Sequence, residues 1–152
     1  MSDSARITVS RTIAAPVERV FALLADPDRH PDIDGSGMVR GSRTHTVLTD
    51  VGDVFTMDMY VEQLGEYQTD NVVTSYQRDV EIGWSPGPAG RPQLGHTYTY
   101  ALRQNGDDLT DVTLNYDWSS VTDERVLPML PFVSADQLGS SLALLAEVLE
   151  KP

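Results

Sequence analysis

The chain has 152 residues, of which 23 are acidic and 11 basic, giving a formal charge of −12, and it contains no cysteine. A field of that sign opposes binding to nucleic-acid phosphates and to anionic membrane surfaces. The missing thiols exclude disulfides, cysteine-held zinc, iron–sulfur clusters and cysteine nucleophiles.

The length predicts a single domain over residues 1–152, large enough to bury an ordinary core. Met1 to Ser10 lack the basic-then-apolar order of a secretory leader, and no later run approaches membrane-spanning length, so a cytoplasmic protein without membrane insertion is expected. Ile7, Val9 and Ile13 alternate with Thr8, Ser10 and Thr12 as a half-buried strand does, with Arg11 intruding on the apolar row. Pro16 fits the first turn of a helix, and Val17, Val20, Phe21 and Leu24 follow at helical spacing until Asp26-Pro27 stops them. Asp26 to Gly37 reads as a turn-rich connection with room for one more helical turn.

From Met38 to Trp118 the pattern has period two, broken by turn signals at Asp50–Asp53, Leu64-Gly65, Gln77–Asp79, Ser85–Pro92 and Gln104–Asp108. Sequential hairpins of this kind predict six further antiparallel strands and leave no room for the crossover helices of a parallel sheet. Ser85 to Pro92 is expected to be the longest irregular element between strands, a proline-stiffened rim. A broken apolar connector, Val121 to Val133, precedes the clearest helix. Ser134-Ala-Asp-Gln137 has the spacing of a capping box, and Leu138, Leu142, Leu145 and Leu149 mark one helical face.

Three stretches carry a family resemblance: Val9-Ser-Arg-Thr-Ile-Ala-Ala-Pro-Val-Glu-Arg-Val-Phe-Ala-Leu-Leu-Ala-Asp-Pro, the strand pair around Val72 to Trp84, and Tyr100-Ala-Leu with Asp111 to Trp118. With the closing Pro131 to Leu149, the chain resembles the helix-grip fold of the START-like superfamily, which includes polyketide cyclases, birch-pollen-type allergens and lipid-transfer domains. The resemblance implies an α+β fold in which a seven-stranded curved antiparallel sheet wraps a long C-terminal helix, with one or two short helices between the first two strands. It also implies a cavity between sheet and helix. Superfamily members include carriers, cyclases, co-chaperones and antitoxin-like proteins, so fold alone does not assign a function.

Strand parity puts Phe55, Met57, Met59 and Val61 on one face, then Val80, Ile82 and Trp84, then His96, Tyr98, Tyr100 and Leu102, then Val112, Leu114, Tyr116 and Trp118. If these rows converge on the Leu138, Leu142 and Leu145 face of the last helix, the interior mixes methionine, aromatic rings, phenol hydroxyls and an imidazole. A ligand pocket is mostly apolar with a few placed polar groups, and this mixture fits it. His96 is the sharpest polar candidate, expected as a satisfied histidine at the cavity rim and available as acid, base or anchor.

The aspartates of His30-Pro-Asp32-Ile-Asp34-Gly35 alternate like a calcium loop, but the position due a bidentate Glu is Gly41, and turn capping accounts for them. His30, His45 and His96 lack the close pairing of a zinc site. No nucleophile elbow and no glycosidase carboxylate pair is present, so no metal, no cofactor and no catalytic signature is read. The leading expectation is a binder or carrier of a hydrophobic or amphipathic small molecule, such as a lipid or polyketide-like aromatic. An aromatase, cyclase or dehydratase using His96 with Tyr98, Tyr100 or Tyr116, and a protein-partner module, are the alternatives.

Overall fold

The computed structural model describes residues 5–150, so residues 1–4 of the segment read for a leader lie outside the described residues. In chain order it contains β1 (Arg6–Ile13), α1 (Val17–Leu24), a 3₁₀ segment (Pro27–Ile33), β2 (Val39–Ser42), β3 (Val54–Val61) and β4 (Gly65–Gln77). There follow β5 (Glu81–Pro88), β6 (Thr97–Gln104), β7 (Thr110–Asp117), a 3₁₀ turn (Leu127–Met129) and α2 (Ala135–Glu150).

The strands form one seven-stranded antiparallel sheet in the order β1-β7-β6-β5-β4-β3-β2. Consecutive hairpins set β2 to β7 side by side, and β1 closes on β7 with Ile7 opposite Tyr116 and Val9 opposite Leu114. The helices between β1 and β2 and the C-terminal α2 lie against the inward face. This is the α+β helix-grip architecture that the element order and resemblance predicted.

Capping accounts for where α2 begins. Gln137 N donates to Ser134 Oγ at 3.1 Å, and Ser134 N donates to Gln137 Oε1 at 2.8 Å. Each partner satisfies an amide that helix geometry leaves free. The helix then buries Leu138, Leu142, Leu145 and Leu149, packing chiefly on β1 and the 3₁₀ segment. Those leucines join Phe21, Leu24, Phe55, Ile82 and Leu114 in one apolar cluster.

Three expectations of extent are corrected. Ser85 to Pro88 is strand, not loop: β5 continues through Pro86 and Pro88, paired with Asn71 and Thr69 of β4. The prolines are tolerated because β6 pairs with β5 only as far as Trp84 opposite Tyr98. Beyond that point the second edge meets a loop, where Leu94 N donates to Pro86 O, and an edge position does not require a proline N–H. Val80 belongs to the β4–β5 turn and is 46% exposed, so it does not join the row of Ile82 and Trp84. The first of the six later strands is only Val39–Ser42, and residues 43–53 run irregularly, tied back where Leu48 N donates to Ala25 O at 2.8 Å.

Gly35 sets how closely the segment after the 3₁₀ turn approaches α2. Its N–H donates to Ser141 Oγ at 2.8 Å, and a Cβ there would stand 2.3 Å from Gln137 O and 2.6 Å from Ser141 N. Those are backbone atoms of a packed helix and cannot swing aside. Gly35→Ala is therefore expected to cost about 1–3 kcal/mol, the range for overpacking a rigid contact. A lower denaturant midpoint at unchanged slope checks this, and an unaltered midpoint would show that the segment yields freely.

Candidate functional site

Strand parity carries the predicted side chains to one face. Phe55, Met57, Tyr100 and Tyr116 are buried with Leu138, Leu142 and Leu145 of α2, while Met59, Trp84 and Tyr98 are half-buried against the same cluster. Cross-strand pairing makes the row continuous, with Trp84 opposite Tyr98 and Tyr98 opposite Tyr116.

Two aromatic groups fill this face. Around β5, the Trp84 ring stacks on His30 at 4.8 Å, and Phe55 meets both edge-on at 5.5 and 5.3 Å. Around β7, Tyr98 stacks on Tyr116 at 4.6 Å, and His96 lies 5.7 Å from Tyr98 and 5.2 Å from Phe132. Tyr100 lies 5.9 Å from Trp84 and extends the first group, and the cross-strand pair Trp84–Tyr98 brings the two groups side by side. Offset and edge-to-face contacts at these spacings are the favourable geometries for ring quadrupoles.

Two open hollows lie at the surface of the sheet. One, about 610 Å³, is lined by Ser10, Thr12, Arg103 and Asp111 among others, over β1, β6 and β7. The other, about 320 Å³, lies over β2 to β4 and meets the inward row only through Met59 and Tyr67. Neither is the hollow expected between sheet and α2.

His96 immediately precedes β6 and is 3% exposed. It was expected to be satisfied. Instead its Nδ1 is buried with no hydrogen-bond partner among the described residues. Burial holds its pKa down at about 4, so the ring is neutral at neutral pH. An orphaned buried nitrogen is costly and uncommon, and it marks a place where a water or a ligand group belongs.

Three contributors to this face are not evident from strand parity in the sequence. His30, which reads there as a turn residue, is buried, and its Nε2 lies 2.8 Å from Leu24 O. Burial lowers its pKa, opposed by that carbonyl and by Asp26 and Asp34. Tyr67 lies opposite Met59 across the β3–β4 hairpin, a position given by counting forward from the Leu64-Gly65 turn and setting that count against β3. Asp34 does cap its turn, accepting from Ser36 N at 3.0 Å and Val39 N at 2.8 Å. Its charge also reaches the phenols of Tyr67, Tyr98 and Tyr100, adding to burial, the larger cause, in holding their pKa values up. All three phenols are thus neutral, protonated groups.

Among the described residues no three histidine or carboxylate side chains gather as a metal site requires. No helix among them is long and apolar enough to cross a membrane.

Solved structures share this architecture. The Mycobacterium smegmatis protein Ms6760 superposes with a TM-score of 0.73 at 19% identity, over 99% of this chain and 94% of that one. A START superfamily protein from the same organism gives 0.69 at 15% identity, over 95% and 97%. At such identities the likeness is one of fold. The uncharacterised protein Rv0088 of Mycobacterium tuberculosis is 33% identical over 113 residues, 74% of this chain and 47% of that protein, so the chain spans about half the length of this relative. The family described as polyketide cyclase / dehydrase and lipid transport matches residues 4–150. With nearly the whole chain matched and the helix-grip fold in place, the chain belongs to that polyketide cyclase/dehydrase and lipid-transport family.

Proposed function

We propose that the chain, as a single domain, binds a hydrophobic or amphipathic small molecule, such as a lipid or polyketide-like aromatic, against the inward row of the sheet. The observation that carries this reading is the ledge of half-buried Met59, Trp84 and Tyr98 leading to the unpartnered Nδ1 of His96. An apolar surface with a single unsatisfied polar atom at its inner end holds a ligand's body by burial and its polar group by a hydrogen bond. Phe55, Met57, Tyr100, Tyr116, Leu138, Leu142 and Leu145 form the wall behind it. Deeper entry requires the aromatic filling to part, and Trp84 and Tyr98, being partly exposed, are the rings freest to move.

Geometry ranks binding above catalysis. A proton-transferring pair needs His96 within hydrogen-bond reach of a phenol, and no such bond joins them among the described residues. The ring centres stand 5.7 Å from Tyr98 and 6.1 Å from Tyr116.

Native mass spectrometry of the purified chain, alone and with added lipids and polycyclic aromatics, tests the reading. One molecule retained per chain is expected. Trp84→Ala should weaken that binding by about tenfold or more, the worth of a large apolar contact. Failure to retain any of these compounds, or an affinity indifferent to Trp84→Ala, would remove it.

A further inference from the structure

We infer that the ligand of this site donates a hydrogen bond, as a phenol or an alcohol does, because the polar groups fixed beside the ledge are acceptors: the side-chain carbonyl of Asn71 and the Nδ1 of His30. The inference rests on the ligand-binding reading above and narrows it to a chemical class.

Register places Asn71. It lies opposite Phe55 of β3 and Pro86 of β5, and Val73, two residues on, lies opposite Trp84. Residues directly opposite each other share a face, as do residues two apart along a strand. The Asn71 side chain therefore stands on the inward face between Phe55 and the Trp84 row, and it is 4% exposed. Its neighbours fix which way the amide turns. Nδ2 donates to Phe55 O at 3.1 Å, to Thr69 O at 3.3 Å and to Thr69 Oγ1 at 3.2 Å. Both carbonyls can only accept, so the amide nitrogen and not its oxygen must face them. Oδ1 is left with no donor among the described residues. It is not enclosed either, since His96 Nδ1 is the one fully enclosed side-chain nitrogen or oxygen without a partner among them. Oδ1 thus borders open space, and solvent hydrates it in the free chain.

His30 adds a second acceptor. Its ring stacks on Trp84 and meets Phe55 edge-on. Nε2 lies 2.8 Å from Leu24 O, and because that carbonyl only accepts, Nε2 carries the proton. Burial opposes a second proton, which leaves Nδ1 as a bare lone pair. Like Oδ1 of Asn71, it has no partner among the described residues and is not enclosed. The remaining polar groups do not select. The hydroxyls of Thr69, Tyr67 and Tyr98 donate or accept, and the neutral His96 ring offers Nδ1 in either role according to its tautomer. A ligand body lying along Met59 and Trp84 strips solvent from the two fixed acceptors. Each hydroxyl it brings can restore one bond, whereas an ether of the same shape restores none, and a covered acceptor left bare is the costly case.

Calorimetric titration of the full chain at neutral pH with a naphthol and with its methyl ether separates the outcomes. The naphthol is expected to bind about tenfold more tightly or better, the worth of one buried acceptor left unpaired. An ether that binds more closely than that to the naphthol would overturn this inference and leave ligand binding standing. Binding of neither would also overturn it, and where the folded chain retains no lipid or polycyclic aromatic the reading beneath it falls as well. Asn71→Ala should shrink the gap by weakening the naphthol and sparing the ether, and an unchanged gap in that folded variant would overturn the role given to Asn71. The wild-type pair of titrations decides the ligand class without the variant.

Discussion

Replacing Phe55 with alanine is expected to destabilise the chain by about 3–5 kcal/mol, the range for removing a buried aromatic ring. Phe55 is 1% exposed and sits where β3 meets the 3₁₀ segment, edge-on to both His30 and Trp84. Its removal forfeits the transfer of a full aromatic ring and leaves the His30–Trp84 stack without its lateral support. The surrounding sheet cannot collapse into the gap, because Phe55 is held in register opposite Asn71, whose Nδ2 donates to Phe55 O at 3.1 Å. Equilibrium urea unfolding measures the loss, and tryptophan emission reports whether Trp84 becomes wetter. A cost below about 1 kcal/mol would mean that the aromatic filling is loose rather than close-packed.

That packing also shows why part of the site was legible in the sequence. Period two is a local property of an extended chain, so Phe55, Met57, Tyr100 and Tyr116 could be assigned to one face without knowing their neighbours. The start of α2 was equally legible, because the Ser134–Gln137 exchange spans one helical turn. His30 was not. Its burial depends on a stack with Trp84, a residue far along the chain, and no spacing within Asp26 to Gly37 encodes that contact. Asp34 shows a subtler failure. Its capping bonds to Ser36 and Val39 are local and explain an aspartate fully, so nothing at that level points to its second effect on three tyrosines from β4 and β6.

Ser85 to Pro88 failed for the opposite reason. Proline and glycine composition is a strong loop signal only where both strand edges need donors, and here β6 departs after Trp84. The hairpin register decided the matter, and register depends on pairing partners. The site therefore divides by range: what alternation or one helical turn determines was readable, and what cross-sheet stacking determines was not.

Acidification is expected to destabilise the wild-type chain relative to His96→Phe by about 3 kcal/mol between pH 7 and pH 4. The folded state holds His96 at about 4 through burial, against an ordinary value of 6.5, and that gap converts at about 1.4 kcal/mol per pH unit. The sign follows from proton counting. Above 6.5 neither state binds a proton, and the contribution is constant. As pH falls through 6.5 the unfolded chain protonates its imidazole while the folded chain refuses until about 4, so the unfolded state is favoured progressively and the loss levels off below that. His30, also lowered by burial, adds loss of the same sign to both proteins and cancels in the comparison.

The carboxylates act lower on the scale. Asp58, held down chiefly by its bond from Arg43, and Asp70, held down chiefly by Gly90 N–H, lose their stabilisation as pH falls below the ordinary 3.8. Relief of the −12 charge on acidification is also common to both proteins. Phenylalanine suits the site because His96 already sits among the rings of Tyr98, Tyr116 and Phe132. Urea unfolding of both proteins at intervals from pH 7 to 4 gives the difference directly. Parallel stability curves would mean that His96 gains a proton as easily folded as unfolded, which a buried Nδ1 without a partner does not permit.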